Sequence, residues 1–222
     1  MFGNAFEASS RIRVKICGIT TADDALAAID CGADALGFNL FPRSKRYIDL
    51  AAAGDWIDKL PGEICKVAVL VNPTLEEAIR ASELPFINAL QLHGNESREF
   101  CRGLAERRIR FAKALPVRSA GPLVDIPSFF TNTLVLDSAS CGEFGGSGKT
   151  FPWELARSIV EAHHAFRIIL AGGLTPGNVA LAVNQVRPFG VDVTSGVESS
   201  PGRKDHGRLR AFIEAARPGG TV

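Results

Sequence analysis

RIILAGGLTPGNVALAVNQVRPFGVDVTSG, residues 167–196, holds one whole structural repeat. It opens on Arg167 to Ala171, a β-branched apolar run that predicts a strand buried on both faces. Gly172-Gly173 breaks that run. Thr175 followed by Pro176 then supplies a helix cap and a first-turn proline, and GNVALAVNQV carries apolar residues at helical spacing. A second strand is predicted over Gly190 to Thr194, followed by the turn residues Ser195 and Gly196. Two strands joined by a helix must run parallel, so the stretch reads as a β–α–β unit and places the chain among α/β folds.

The same alternation extends over the chain. Further strands are predicted over Arg13 to Cys17 (RVKIC), Ala35 to Leu40 (ALGFNL), Lys66 to Val71 (KVAVLV), Asn88 to Leu92 (NALQL), Arg110 to Leu115 (RFAKAL) and Thr133 to Asp137 (TLVLD), making eight in all. Helix starts are marked by Thr21 before ADDALAAID, Thr74 before LEEAIRASE and Asn95 before ESREFCRGLAERR. Pro152 suits the first position of another helix, while Gly121, Pro122 and Pro127 leave room only for a short helix between Val117 and Phe130. Eight β–α units in 222 residues predict a (β/α)₈ TIM barrel. Nothing resembling a linker or a low-complexity tract divides the chain, so residues 1–222 are expected to form a single domain, with residues 1–11 a loose N-terminal extension.

Composition narrows the function. Lys plus Arg (25) nearly equals Asp plus Glu (24), so no general basic field draws the chain to nucleic acid or an anionic membrane. No apolar run reaches the 18 or so residues of a membrane span, and the first residues lack the apolar core of a signal peptide. The five cysteines form no C-x-x-C pair and no Cys/His cluster at metal-ligand spacing, which predicts a reducing, cytoplasmic setting and no metal. One motif invites a different reading. CGEFGGSGKTF, residues 141–151, looks like a phosphate-gripping P-loop, but the glycine required four free residues ahead of Gly148-Lys149-Thr150 is replaced by Glu143. A P-loop nucleotidase is therefore disfavoured.

In a barrel of this type, functional groups gather at the C-terminal ends of the strands. Those positions hold Cys17, the Arg43-Ser44-Lys45-Arg46 run, His93-Gly94, Asp137, Gly172-Gly173 and Ser195-Gly196. From residue type alone, several readings stay open. Cys17 suits a small buried hydrophobe as well as a nucleophile or base. Asp137 suits a loop anchor, Asp192 a buried structural carboxylate, and His93 a satisfied structural histidine. Arg43, Lys45 and Arg46 are equivalent on charge. Two glycine-bearing loops on adjacent strands favour phosphate held by backbone amides over mere tight turns. Strand alternation puts Lys15 on the same face as Cys17, while His163 and His164 are expected on an outward helix surface.

Six segments, in order, carry a more specific signal: KICGIT (15–20), GFNLFPRSKRYI (37–48), QLHG (91–94), GGSGKTF (145–151), AGGLTPGNV (171–179) and VDVTSGVESSPGRKD (191–205). Together they resemble the motifs of the phosphoribosylanthranilate isomerase family of tryptophan biosynthesis, from about Val14 to Ala216. The resemblance implies a cofactor-free, metal-free Amadori rearrangement, in which N-(5-phosphoribosyl)anthranilate becomes 1-(2-carboxyphenylamino)-1-deoxyribulose 5-phosphate. It further implies Cys17 as general base and Asp137 as general acid. Arg46 would grip the anthranilate carboxylate, His93 would line the site and Asp192 would meet the sugar hydroxyls. Gly172, Gly173, Ser195 and Gly196 would hold the phosphate. The related histidine-pathway isomerase places an aspartate where this chain has Cys17, which argues against it. A barrel that binds a phosphosugar without catalysis is disfavoured by the intact pair of Cys17 and Asp137. On this reading the 141–151 stretch leaves the sixth strand as a mobile cover over a small phosphoribosyl substrate. Monomer and homodimer remain open.

Overall fold

The computed structural model describes residues 11–117, 126–138 and 152–217. Eight parallel strands close into a barrel in chain order: β1 (Arg13–Cys17), β2 (Ala35–Asn39), β3 (Cys65–Leu70), β4 (Ala89–Leu92), β5 (Phe111–Val117), β6 (Thr133–Ser138), β7 (Arg167–Leu170) and β8 (Gly190–Val193). Pairing of Lys15 with Asp192 and of Lys15 with Ala35 joins β1 to both its neighbours and shuts the ring. All eight strands match the sequence-predicted runs to within a residue or two.

Two apolar layers hold the ring. Because successive strand residues face opposite sides, Val14, Ile16, Leu36, Phe38, Leu90, Leu134 and Leu136 point outward and pack under the helices. Their neighbours face the barrel axis. There Ala35, Val67, Ala89, Ala112, Ala114, Val135 and Ile169 make a separate inner core. The inner residues are mostly small, as an eight-stranded barrel leaves room for little more. At β1, β4, β6 and β8 the inward positions nearest the C-terminal mouth are instead polar.

The covering helices are α1 (Ala22–Asp30), α2 (Leu50–Asp58), α3 (Leu75–Ser82), α4 (Arg98–Glu106), α5 (Trp153–Ala162), α6 (Val179–Val186) and α7 (His206–Ala216). Thr21 caps α1, and Thr74 forms a reciprocal capping box with Glu77 on α3, as their sequence signals predict. Other starts differ. The cap of α4 is Ser97, whose side chain accepts the Phe100 N–H, while Asn95 lies in the preceding loop with its N–H donated to the Asn72 side chain at 2.6 Å. Helix α6 begins only after Asn178. The Asn178 carboxamide accepts from the Thr175 N–H and donates to the Gly173 carbonyl, closing a local turn that delays the helix. Pro152 is the cap of α5 and not its first residue, and α5 ends at Ala162, so His163 and His164 follow the helix. Helix α2, which the start signals above did not mark, is capped by Asp49 through the Ala51 N–H. Between β5 and β6 the described residues form one 3₁₀ turn, Ile126–Phe129. After β8 come a 3₁₀ turn, Ser195–Val197, and a small hairpin, β9 (Glu198–Ser200) with β10 (Arg203–Lys204). No helix is long and apolar enough to cross a membrane among the described residues. The 141–151 segment, with its proposed covering role, lies outside them.

Candidate active site

One cavity at the C-terminal mouth is lined by Cys17, Arg46, His93, Asp137, Asp192, Gly172, Gly173, Ser195 and Gly196. Every residue selected from the sequence thus reaches the same space.

Cys17 ends β1 and is buried, with Lys15 two residues before it on the same inward face. Both converge on Gly37 of β2. A β-carbon at residue 37 would lie 2.7 Å from Cys17 Sγ and 2.9 Å from Lys15 Nζ, so this contact needs glycine. Lys15 Nζ also donates to Asp192 Oδ2 at 2.9 Å, both side chains being almost wholly buried. Burial works against the Lys15 ammonium, yet the charges of Asp192 and Cys17 outweigh it and hold the lysine pKa above its usual value. The other Asp192 oxygen, Oδ1, is buried without a hydrogen-bond partner.

Asp137, the last but one residue of β6, has its carboxylate held at both oxygens. Oδ1 accepts the Ser138 N–H at 2.7 Å, and Oδ2 lies 3.0 Å from His93 Nε2. His93 Nδ1 in turn lies 2.8 Å from Gln91 Nε2 on β4. An amide nitrogen only donates, so this contact makes Nδ1 the acceptor and leaves Nε2–H to donate to Asp137. Gln91 was missed in the sequence reading. Its signal was strand alternation, which places it on the face of His93.

Arg46 reaches the site from the loop after β2. Ser44 Oγ accepts the Arg46 N–H at 3.1 Å and fixes the turn, leaving Arg43 and Lys45 exposed while Arg46 points inward. The alkyl stem of Arg46 lies against Gly18, where a β-carbon would come within 2.7 Å of Cδ. Its guanidinium makes a two-point contact with Glu198, at 2.8 and 2.7 Å. Glu198, also missed from sequence, accepts from Lys204 Nζ at 3.1 Å, and Lys204 donates to the Cys17 carbonyl at 2.6 Å.

The glycine loops close the far wall. Gly172 and Gly173 have φ of +81° and +64° and donate to no acceptor among the described residues. Gly172 has a second duty, since a β-carbon there would sit 2.7 Å from Asp137 Oδ1. At residue 196 a β-carbon would strike the Leu174 carbonyl at 1.9 Å, so the loops after β7 and β8 touch through bare backbone. No cluster of three or more His, Cys, Asp or Glu able to hold a metal occurs among the described residues.

The chain is a TIM barrel with a polar cavity at its C-terminal mouth, where enzymes of this fold class carry their active sites. Residues 14–215 match the family model for N-(5'-phosphoribosyl)anthranilate (PRA) isomerase. The N-(5'-phosphoribosyl)anthranilate isomerase of Trichlorobacter lovleyi is 45% identical over 206 residues, covering 93% of this chain and 98% of that protein. A solved phosphoribosyl anthranilate isomerase from Thermus thermophilus superposes with a TM-score of 0.82 at 36% identity, over 92% of this chain and 98% of that one. Another, in complex with reduced 1-(o-carboxyphenylamino)-1-deoxyribulose 5-phosphate, gives a TM-score of 0.76 at 39% identity, covering 92% and 98% of the two chains. The chain belongs to the N-(5'-phosphoribosyl)anthranilate isomerase family.

Proposed function

We propose that this chain converts N-(5-phosphoribosyl)anthranilate into 1-(2-carboxyphenylamino)-1-deoxyribulose 5-phosphate, the isomerase step of tryptophan biosynthesis, with Cys17 as general base and Asp137 as general acid. The observation that carries this reading is the meeting of Cys17, Asp137, Arg46 and Asp192 with the two glycine loops in one cavity. The rearrangement is an internal redox exchange between C1 and C2 of the sugar, so its atoms balance without cofactor or metal.

Asp137 donates its proton to the furanose ring oxygen as the C1–O bond breaks, and the anilino nitrogen lone pair forms the C1=N bond. The Cys17 thiolate then removes the proton from C2. The electron pair left behind forms C1=C2 as the C1=N pair returns to nitrogen, giving the enol-enamine, which becomes the aminoketose by gaining a proton at C1 and losing the C2 hydroxyl proton. His93, donating Nε2–H to Asp137 Oδ2, holds the carboxyl in place once it has lost its proton. Asp192 Oδ1 is the acceptor for a sugar hydroxyl. Arg46 meets the aryl carboxylate, to which a planar guanidinium is matched. The amides of Gly172, Gly173, Ser195 and Gly196 face the phosphate, which accounts for phosphate binding in a chain with no general basic field. We place the protein in the cytosol, a setting suited to Cys17, Cys31 and Cys101, which are free thiols among the described residues.

The test is to generate the anthranilate substrate in situ and follow the loss of its fluorescence on adding the purified protein. The histidine-pathway aminoaldose is run alongside. Rapid loss with the anthranilate substrate and little turnover of the other are expected. Loss no faster than without enzyme overturns the reading.

A further inference from the structure

Arg46 does not stand alone in the cavity wall. Its Nε and Nη2 are both taken by Glu198, a side chain that is itself buried. A guanidinium has two edges able to make paired hydrogen bonds, one through Nε and Nη and one through the two Nη atoms. The contact with Glu198 occupies the first. The second edge carries no acceptor among the described residues and belongs to a residue that lines the cavity.

Glu198 is in turn the centre of a buried set. Oε1 accepts from Lys204 Nζ at 3.1 Å and from the Gly202 N–H at 3.3 Å, and Lys204 donates to the Cys17 and Thr194 carbonyls at 2.6 and 3.4 Å. Burial alone would raise the Glu198 pKa, but the Arg46 hydrogen bonds and the Lys204 charge hold it below the usual range, so it stays a carboxylate. One carboxylate therefore ties the β9–β10 hairpin to the loop after β2 and to the end of β1. A long arginine free to sample many rotamers would lose side-chain entropy on gripping a ligand. Held by Glu198 at one edge and by Gly18 beneath its stem, Arg46 has lost that freedom before any ligand arrives.

We infer that Glu198 is a positioning residue that fixes the free edge of Arg46 toward the substrate's aryl carboxylate, and so sets the enzyme's preference for an ortho-carboxylated amine on the ribosyl C1. The inference rests on the function proposed above and deepens it.

The experiment compares N-(5-phosphoribosyl)anthranilate with N-(5-phosphoribosyl)aniline, which lacks the carboxylate, both generated in situ. The readout is the ratio of their kcat/KM values. Glu198→Gln keeps the size of the side chain but weakens the grip on Arg46. It should lower the ratio by roughly tenfold, about the worth of one charge-assisted hydrogen bond, mainly through a higher KM for the anthranilate substrate. In an Arg46→Ala background the ratio should already be low, and adding Glu198→Gln should not change it. If Glu198→Gln fails to fold, Glu198→Asp keeps the charge, shortens the reach, and should lower the ratio in the same way. A ratio unchanged by the substitution, or a further fall in the Arg46→Ala background, overturns the inference while leaving the isomerase reading intact. No turnover of the anthranilate substrate by the parent protein overturns both.

Discussion

Lys15 and Asp192 form an ion pair with both side chains almost fully buried, in the inner wall beside Cys17. Such a pair owes its stability to remaining intact, because an unpaired charge in that position has neither water nor partner. Lys15→Met alone should destabilise the protein by about 3–5 kcal/mol. Lys15→Met combined with Asp192→Leu should recover most of that loss in urea unfolding, while isomerisation stays lost because the orphaned Asp192 oxygen is gone. Equal instability of the single and double variants would contradict the argument. Gly37 makes the complementary case. Its missing side chain is what lets Cys17 Sγ and Lys15 Nζ meet, so Gly37→Ala should cut kcat at least a hundredfold with only a modest loss of Tm. At this scale residue type alone left Cys17 and Asp137 open between structural and catalytic uses, and it was the resemblance to a known family that singled them out. Glu198 and Gln91 were not singled out, because a glutamate in a turn-rich segment and a glutamine in a strand have common solvated uses. Glu198 meets Arg46, 152 positions away, only through closure of the barrel, whereas Gln91 meets His93 through strand alternation alone.

Strands were easier to read than helix starts, for a physical reason. A buried parallel strand needs an uninterrupted apolar run, which stands out, whereas a helix start depends on where one side-chain oxygen finds a free N–H. At Thr74 the signal was complete, since Thr74 accepts from the Glu77 N–H while Glu77 reaches back to the Thr74 N–H. At Asn95 and Thr175 the backbone groups were already engaged in loop contacts, and the helix began two or three residues later. The capping box on α3 is exposed, and neither Thr74 nor Glu77 lines the cavity. Thr74→Ala should therefore cost about 1 kcal/mol in denaturant unfolding and leave kcat and KM unchanged. A fall in kcat would mean that α3 communicates with the site in a way its contacts do not suggest. The loop after β4 is different. Glu96 accepts the Asn72 and Gly94 N–H groups and pairs with buried Lys113, anchoring the segment next to His93.

Across the whole molecule the two ends of the barrel have separate tasks. At the end opposite the cavity, Asp34 accepts from the Val14 N–H, Arg11, Arg13 and Arg217, fastening the first strand to the end of the last helix. Burial acts to raise the Asp34 pKa, but the Val14 hydrogen bond and the Arg217 and Arg11 charges prevail and lower it. A carboxyl with a lowered folded-state pKa stabilises the protein above its unfolded value, about pH 3.9, and loses that contribution as pH falls through the folded value. Asp34→Asn should thus lower stability by on the order of 2 kcal/mol at pH 7. The difference from the parent should shrink toward zero as pH falls below the unfolded value and through the lowered folded one, as thermal unfolding against pH will report. A constant difference across that range would exclude the ionised form as the source. At the other end, closure brings Cys17 of β1 and Asp137 of β6 to the same cavity, and that meeting is the central claim. It is tested most directly by the turnover of N-(5-phosphoribosyl)anthranilate by Cys17→Ala and by Asp137→Asn, each verified as folded by circular dichroism. The account predicts that each loses at least about a hundredfold to ten-thousandfold in kcat; near-parental turnover by either variant would contradict it.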